Sequence, residues 1–269
     1  MNSGKFRLCP IASGSSGNCT YIEADNTSFL VDVGISGKRV VAGLEIIDVD
    51  PASINGILIT HEHSDHIKGI GIYSRKYNVP IYATAKAWDK LLGDNMIGKV
   101  HEDNIRILEK GQYLSVGNLN IMPYEIYHDA IDPVGYIFEY EDRKIAVATD
   151  IGKVDEHILC HLRGADGILL EFNHDIRMLE AGSYPFPLKK RILSDVGHLN
   201  NDAAAEALVE IYHPGLKWAV LGHLSKDNNL PDLAFLTAQQ ALEEKQIKVG
   251  EDIEVFVAKR DEVSKWFEV

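Results

Sequence analysis

The sequence contains few cysteines and no apolar run long enough to cross a membrane. Its three cysteines, Cys9, Cys19 and Cys160, include no Cys-x-x-Cys pair, so they cannot form the disulfide framework of a small secreted domain. The strongly apolar stretches 56–60 and 218–221 have the length of strands and fall far short of the ~20 residues of a transmembrane helix. These absences exclude disulfide-rich secreted domains and helical membrane proteins, and we expect a cytoplasmic protein.

The chain also lacks targeting, linker and nucleotide-binding signals. Residues 1–8 are polar and carry no signal-peptide core. No low-complexity segment, proline-rich linker or solenoid repeat interrupts the sequence. Neither a P-loop nor a Gly-x-Gly-x-x-Gly motif follows a predicted strand. With 269 residues, of which 45% are hydrophobic, we expect a single domain over residues 1–269 with a sizeable core.

Basic residues are scarce relative to acidic ones. The 27 lysines and arginines face 40 aspartates and glutamates, which gives a net charge of -13. This balance argues against non-specific coating of nucleic acid. A local positive site is still compatible with it, because bound metal ions can be the largest charges in a cleft.

The apolar pattern predicts two batches of strands, each flanked by helices. Predicted strands cover residues 5–12, 19–24, 28–33, 54–60, 79–83, 113–116, 119–126, 134–140, 144–149, 167–172, 218–221 and 253–257. Predicted helices cover residues 38–47, 64–77, 84–92, 154–162, 202–212 and 233–245. This order favours an α/β fold in which two mixed sheets pack face to face with helices outside, a four-layer α/β/β/α sandwich.

The sharpest local signal is the segment 60–66, Thr-His-Glu-His-Ser-Asp-His. It follows an apolar strand, at a position where α/β sheets usually place ligands. His61, His63, Asp65 and His66 cannot all be core residues, since each would need its own buried partner. Imidazole and carboxylate together suit Zn²⁺, Mn²⁺ or Fe. We expect His61 and His63 to face one metal site and Asp65 and His66 to face a second; the alternatives are a solvated polar loop or a single structural ion.

Three further candidate ligands, His128, Asp150 and His223, each follow a later predicted strand. Taken singly, each has an alternative role as a surface or capping residue. Together with the four residues of segment 60–66 they make seven ligands, which are too many for one ion and the right number for two. The sequence therefore predicts two divalent transition-metal ions per chain, Zn²⁺ or Mn²⁺, with Fe possible.

The His-x-His-x-Asp-His run, followed by a His, an Asp and a His after later strands, resembles the metallo-β-lactamase superfamily over nearly the whole chain. The resemblance implies a metallo-β-lactamase sandwich and a division of the ligands. The first metal would be held by His61, His63 and His128, the second by Asp65, His66 and His223, and Asp150 would bridge them. The flavodiiron branch has an acidic residue at the position of His63, so an oxygen-reducing di-iron enzyme is not expected.

Three other segments resemble one subgroup of this superfamily. Residues 12–18 (Ala-Ser-Gly-Ser-Ser-Gly-Asn), 170–175 (Leu-Glu-Phe-Asn-His-Asp) and 193–199 (Leu-Ser-Asp-Val-Gly-His-Leu) resemble the bacterial WalJ/YycJ (VicX-type) group, which is related to the nucleic-acid-processing branch. That resemblance implies a metal-dependent phosphodiesterase with exonuclease activity on DNA. The stretch between Asp150 and His198 is too short for the large inserted domain of the bigger ribonucleases. A DNA end would therefore be held by this domain itself or by a dimer.

The same resemblance assigns catalytic roles to His198 and Asp65. His198 would be a non-ligand histidine that donates to the scissile phosphate; the alternative is that it helps to cap the helix that follows it. Asp65 would orient the attacking hydroxide. In the loop 13–18, Ser15, Ser16 and Asn18 could bind phosphate oxygens through hydroxyl and N–H groups, although a plain hairpin turn fits equally well.

The sequence leaves two interpretations open for His174 and two for the basic run 189–191. His174 either lines the cleft or orients a metal ligand from behind. The basic run Lys189, Lys190 and Arg191 is either a solvated face or a contact to a nucleic-acid backbone. The four histidines outside any motif are expected at the surface, namely His101, His157, His161 and His213.

We therefore predict a binuclear metal-dependent phosphodiesterase, an exonuclease that acts on DNA ends by attack of a metal-activated hydroxide. Its expected partner is nucleic acid, with DNA favoured over RNA, and no membrane. The first alternative is a hydrolase of a cyclic phosphodiester, a lactone or a thioester with the same metal site. A second is a binding or regulatory module without catalysis. The native metal, the polarity of digestion and the oligomeric state stay open.

Overall fold

A computed structural model describes residues 4–269 of the chain. Residues 1–3, which begin the predicted domain and its polar N-terminal stretch, lie outside the described residues. The first sheet has seven strands: β1 (Phe6–Ala12), β2 (Cys19–Ala24), β3 (Thr27–Val31), β4 (Gly56–Leu58), β5 (Ile81–Thr84), β6 (Ile105–Leu108) and β14 (Phe267–Glu268). Their spatial order is β14-β1-β2-β3-β4-β5-β6, antiparallel up to β3 and parallel from there to β6.

The second sheet also has seven strands: β7 (Leu114–Val116), β8 (Leu119–Glu125), β9 (Val134–Tyr140), β10 (Arg143–Ala148), β11 (Gly167–Glu171), β12 (Trp218–Gly222) and β13 (Glu254–Val257). The strands β7 to β10 form an antiparallel meander, and β10 to β13 are parallel. The helices are α1 (Gly37–Ile46), α2 (Ser64–Ile67), α3 (Ile70–Tyr77), α4 (Ala85–Gly93), α5 (Glu156–Leu162), α6 (Ile176–Ala181), α7 (Phe186–Ile192), α8 (Asn201–Ile211) and α9 (Pro231–Glu244).

Alternation along the parallel strands divides the buried side chains between two layers. On β11, Leu169 faces the other sheet, whereas Ile168 and Leu170 face the helices α5, α8 and α9. The period of two follows from the pleat of a strand. A third apolar cluster lies between the first sheet and the helices α1, α3 and α4, with Leu44 and Trp88 among its members. The predicted four-layer α/β/β/α sandwich is confirmed.

One predicted helix is wrong in its extent. Residues 64–77 form two helices, α2 and α3, because the chain is interrupted at Gly69. The Gly69 N–H donates to the Val33 carbonyl over 2.7 Å, and a Cβ at this position would lie 2.2 Å from the Ile35 carbonyl oxygen. The close approach of two backbones needs glycine, and it ends the first helix.

The parallel strands of the second sheet bring their carboxyl ends to one edge. Leu170 on β11 lies opposite Ala148 on β10 and Leu221 on β12, so the residues after these strands emerge side by side. The Val134 N–H donates to the Thr60 carbonyl over 3.0 Å, which joins the loop after β4 of the first sheet to the same edge. No helix in the range 4–269 combines the length and the apolar character that a membrane crossing requires.

Candidate metal centre

The segments after β4, β8, β10 and β12 carry the seven predicted ligands to the edge between the two sheets, with Asp65 and His66 on α2 and the others in loops. Two of these residues turn the chain sharply as they leave their strands, since Asp150 has φ 58° and His223 has φ 55°. A left-handed backbone is uncommon for residues other than glycine and is costly. Such residues cluster at functional sites, where the surroundings hold them in place.

The first group of donors contains His61, His63 and His128, whose ligand atoms all lie within 4.8 Å of one another. His128 Nε2 is 3.3 Å from His63 Nδ1. His61 Nε2 is buried and has no hydrogen-bond partner within the described chain. Three imidazole side chains whose nitrogens converge on one point fit a transition-metal ion.

The second group contains Asp65, His66 and His223. Asp65 Oδ2 lies 3.5 Å from His66 Nε2 and 3.7 Å from His223 Nε2. Like His61, His223 presents a buried Nε2 that accepts or donates no hydrogen bond in the region described. These three residues form a second N/O donor set of the kind that divalent transition metals take.

Asp150 lies between the two groups. Its Oδ2 is 3.2 Å from His66 Nε2, and its Oδ1 is 3.5 Å from His223 Nε2 and 3.8 Å from His128 Nε2. The carboxylate therefore reaches both donor sets: Oδ1 lies near His128 of the first and His223 of the second, and Oδ2 lies near His66 of the second. The arrangement fits two ions that share one carboxylate.

A buried carboxylate that the motif reading missed, Asp32, orients the donors of segment 60–66. Its Oδ2 accepts from His66 Nδ1 over 2.7 Å and from the Thr60 hydroxyl over 2.7 Å, and its Oδ1 accepts from the Thr60 N–H over 2.9 Å. The hydroxyl of Thr60 also contacts His61 Nδ1 over 3.0 Å. Such partners fix the ring orientation and leave Nε2 of each histidine for the centre.

Glu171, at the end of β11, performs the same task on the other side. It is fully buried, and its Oε1 accepts from His198 Nδ1 over 2.8 Å and from His223 Nδ1 over 2.9 Å. Its Oε2 accepts from the Ile151 N–H over 2.7 Å and, more weakly, from the Leu199 N–H over 3.4 Å. Glu171 also forms a possible ligand cluster with Asp150, His198 and His223. Because its oxygens are taken up by protein donors, it positions the two histidines.

Burial and the neighbouring carboxylates shift the pKa values of the histidines of the centre in opposite directions. Burial alone would lower the pKa of His223, but Asp150, Asp65 and Glu171 raise it to about 10. His66 follows the same pattern, because Asp150 and Asp32 outweigh its burial and hold its pKa well above the usual value. In the other direction, burial lowers the pKa of His61 well below its usual value. Protonated and neutral imidazoles thus coexist around the carboxylates.

His198 is placed with the centre and takes no part in the helix cap. The cap of α8 is Asn200, whose Oδ1 accepts from the Ala203 N–H over 2.9 Å. The ring of His198 instead packs between His128 and His223, with centroids 5.1 and 5.3 Å away. Burial acts to lower its pKa, but Glu171 outweighs that effect and raises it.

The loop 13–18 is a turn in which some residues are exposed to solvent and others contact the candidate metal ligands. Ser15 and Ser16 are exposed, and Ser15 lines the cleft beside His198. Asn18 differs from the expectation of a substrate contact: it is buried, and its amide nitrogen lies 3.0 Å from His66 Nε2. Ser13, which sequence reasoning passed over, accepts from the His223 N–H over 2.9 Å. The loop therefore contacts two residues of the second group, His66 through Asn18 and His223 through Ser13.

The remaining two features are also resolved by geometry. His174 is buried, and neither ring nitrogen has a hydrogen-bond partner among residues 4–269, so the ring donates no hydrogen bond to a candidate ligand. In the basic run, Arg191 pairs with Asp129 beside the cleft, Lys189 donates to two backbone carbonyls, and Lys190 is exposed. The run is thus neither a uniform solvated face nor three free cations.

Of the four histidines expected at the surface, two are exposed and two are half-buried. His101 and His157 are exposed. His161 stacks on Tyr124, and His213 Nε2 contacts the Ala165 carbonyl over 3.1 Å. None of the four contributes to the centre.

Comparison with known proteins places this architecture in a family. The model of the β-lactamase superfamily domain matches residues 27–223. The chain is 39% identical over 269 residues to exodeoxyribonuclease WalJ of Streptococcus pneumoniae serotype 2 (strain D39), with all of both chains covered. It is 41% identical over 245 residues to exodeoxyribonuclease YycJ of Bacillus anthracis, which covers 91% of this chain and 92% of that protein.

A solved structure with low sequence identity shares the fold. The metallo-β-lactamase fold protein YhfI from Bacillus subtilis superposes with a TM-score of 0.73 at 16% identity, over 99% of this chain and 100% of that chain. At this identity the likeness concerns the arrangement of the two sheets and the helices alone.

Proposed function

The chain belongs to the metallo-β-lactamase superfamily and to its WalJ/YycJ group, and we propose that it is a binuclear metal-dependent exonuclease that hydrolyses phosphodiester bonds at DNA ends. The observation that carries the proposal is the position of the Asp150 carboxylate between two converging donor sets, within 3.8 Å of a histidine nitrogen in each. Full-length similarity to two exodeoxyribonucleases supports DNA as the substrate class.

The ligand assignment follows the two donor sets. His61, His63 and His128 would hold the first ion; Asp65, His66 and His223 would hold the second; Asp150 would bridge them. Two divalent ions, Zn²⁺ or Mn²⁺ with Fe as the further possibility, supply Lewis acidity toward phosphate oxygens and lower the pKa of water. The buried nitrogens of His61 and His223 without partners support this assignment.

His198 is the proposed phosphate donor. Its Nδ1 is engaged by Glu171, and the side chain keeps 21% of its surface exposed, so Nε2 is the nitrogen available to a substrate. Glu171 raises the pKa of His198 and so favours the protonated form of the ring. A positioned donor of this kind stabilises charge that develops on the phosphoryl group.

The cleft beside His198 carries donors for an anionic group next to one carboxylate, Asp129, with which Arg191 pairs. It has a volume of about 180 Å³ and is lined by Ser15, Arg191 and Tyr184 among others. The Ser15 hydroxyl and the Arg191 guanidinium are suitable partners for phosphate oxygens. Asp65, whose pKa is held well below its usual value by His223 and His66 despite burial, stays ionised and is the proposed acceptor that orients the attacking water.

The test is a substrate panel with each metal. End-labelled single-stranded DNA, duplex DNA and RNA are compared with bis-p-nitrophenyl phosphate, a lactone and a thioester, in Mn²⁺ or Zn²⁺. We expect release of mononucleotides from DNA ends, faster than from RNA, and loss of that activity with chelator.

The same panel is run with the variant Asp150→Asn. Its matched control is Asp166→Asn, because Asp166 lies outside the centre and accepts from the Lys144 N–H over 2.8 Å. Efficient acyl hydrolysis without nuclease activity in either metal would contradict the proposal. The cytoplasmic location expected from the cysteines stays a prediction.

A further inference from the structure

A second cavity adjoins the metal centre at His198. It has a volume of about 290 Å³ and lies between α5, α8 and the loop that carries His174. His198 lines both this cavity and the cleft beside it. A molecule that contacts His198 with its phosphate would therefore have its next chemical group at the mouth of the cavity.

His174 supplies this cavity with hydrogen-bonding capacity that the protein does not use. The residue is anchored through its backbone, since the Asn201 N–H donates to its carbonyl over 2.9 Å. Its ring is fully buried, yet neither nitrogen has a hydrogen-bond partner in the part of the chain described. Burial lowers its pKa to about 4, so the neutral ring offers one donor and one acceptor. Buried polar groups are normally paired, so an imidazole in a cavity wall that has no partner among residues 4–269 is available to a bound molecule.

The other walls divide into apolar and acidic parts. Leu159 and Ala203 present apolar surface, whereas Glu206 and Glu210 on α8 are exposed carboxylates. Carboxylates repel phosphate, so a nucleotide would keep its phosphate at the His198 end. Carboxylate oxygens also accept from exocyclic amino groups of bases. Apolar faces combined with donors and acceptors at the edge are the requirements of a flat heteroaromatic ring.

We propose that this cavity binds the terminal nucleobase of the DNA strand, with preference for bases that carry an exocyclic amino group, such as cytosine and adenine, over thymine. The proposal deepens the proposed function and rests on it for the position of the phosphate. His174 is a specificity-determining residue in this account and takes no part in the chemical step. The volume, at the lower end of sites for small ligands, admits one base and excludes a continuing strand.

Two variants test the site without altering the metal ligands. His174→Phe keeps a ring of similar size and removes both nitrogens, and Ala203→Leu fills part of the cavity. Their matched controls are His161→Phe on α5 and Ala241→Leu on α9, which do not line the cavity. The metal-loaded protein is titrated with oligonucleotides that end in dC, dT or an abasic residue, with phosphorothioate terminal linkages to slow cleavage.

We expect the dC end to bind roughly 10-fold more tightly than the abasic end, the scale of one stacked and hydrogen-bonded base. His174→Phe and Ala203→Leu should remove this difference, while both controls keep it. Hydrolysis of bis-p-nitrophenyl phosphate, which has no base, should stay within about twofold of the parent for all four variants. Equal binding of all three ends, or a preference that survives His174→Phe, would overturn the proposed cavity. A preserved terminal-base preference in a protein that cleaves no DNA would instead overturn the proposed function and leave the base site standing.

Discussion

Replacing Glu171 by glutamine should weaken the metal centre without removing a metal ligand. The carboxylate accepts from two imidazoles and two backbone N–H groups, and despite burial His198 and His223 hold its pKa at about 2. Glutamine has nearly the same shape, but its amide nitrogen is a donor. At least one of the four N–H groups then meets another donor in a buried place.

The magnitude follows from the partners that are lost. Hydrogen bonds to charged groups contribute about 1.5–3 kcal/mol each, and one such loss corresponds to a fall in Tm of roughly 3–12 °C at about 2–4 °C per kcal/mol. Removal of a partner that orients a ligating histidine typically costs about 10–100-fold in metal affinity. We therefore expect Glu171→Gln to raise the Kd of the more weakly held ion by that factor and to lower turnover at limiting metal.

The assay is competitive metal titration of the parent, Glu171→Gln and the control Asp166→Asn, with Tm measured on the same samples. Asp166→Asn removes a carboxylate acceptor at the amino end of the strands, so it should lower Tm with unchanged metal affinity. If Glu171→Gln lost stability to the same extent as the control and kept both ions at parental affinity, the role assigned to Glu171 would be refuted.

Other perturbations separate the roles within the centre. Asp150→Ala should lose both ions and nearly all turnover, because its oxygens face both donor sets; retention of two ions by elemental analysis would contradict the bridging assignment. His198→Ala should keep both ions and lose turnover by on the order of 10²–10³-fold, whereas His223→Ala should lose or weaken one ion; metal loss in the first variant would show that the ligand set is misassigned. In metal-free protein the raised pKa of His223, about 10, contributes stability that is fully present below pH ~6.5 and is lost as pH rises toward 10, so Tm should fall over that window. Metal affinity should rise over the same window because ligation displaces the proton, and a Tm of the apoprotein that rises with pH would contradict this sign.

The ligands were predictable because each follows an apolar strand. Polar residues that come shortly after buried strands mark the candidate ligands in the sequence. They are the residues of segment 60–66, His128, Asp150 and His223. Parallel strands then bring those positions together without any information on side-chain packing. This local signal explains why the layers of the sandwich and the seven candidate ligands could be inferred from sequence.

The residues behind the ligands give a weaker signal, because each is a single acid at the end of a strand without a histidine motif beside it. Asp32 lies 34 positions from His66 and Glu171 lies 52 positions from His223, so their partners are defined only by tertiary structure. A lone acid after a strand is more typical of a turn or a cap. The short helices α6 and α7 were missed because Leu179 is the one buried residue described in them, which leaves no apolar stripe to detect. The edge strand β6 was not predicted for a similar reason, because its apolar residue Ile107 is exposed.

The central claim is that this site hydrolyses DNA ends with two metal ions, and one titration tests it most directly. Metal-free protein receives increasing equivalents of Mn²⁺, and the initial rate of mononucleotide release from end-labelled DNA is recorded at each step. The account predicts a rate that rises to a plateau at two equivalents per chain. A plateau at one equivalent, or the absence of mononucleotide release at any metal content in a folded protein, would contradict it.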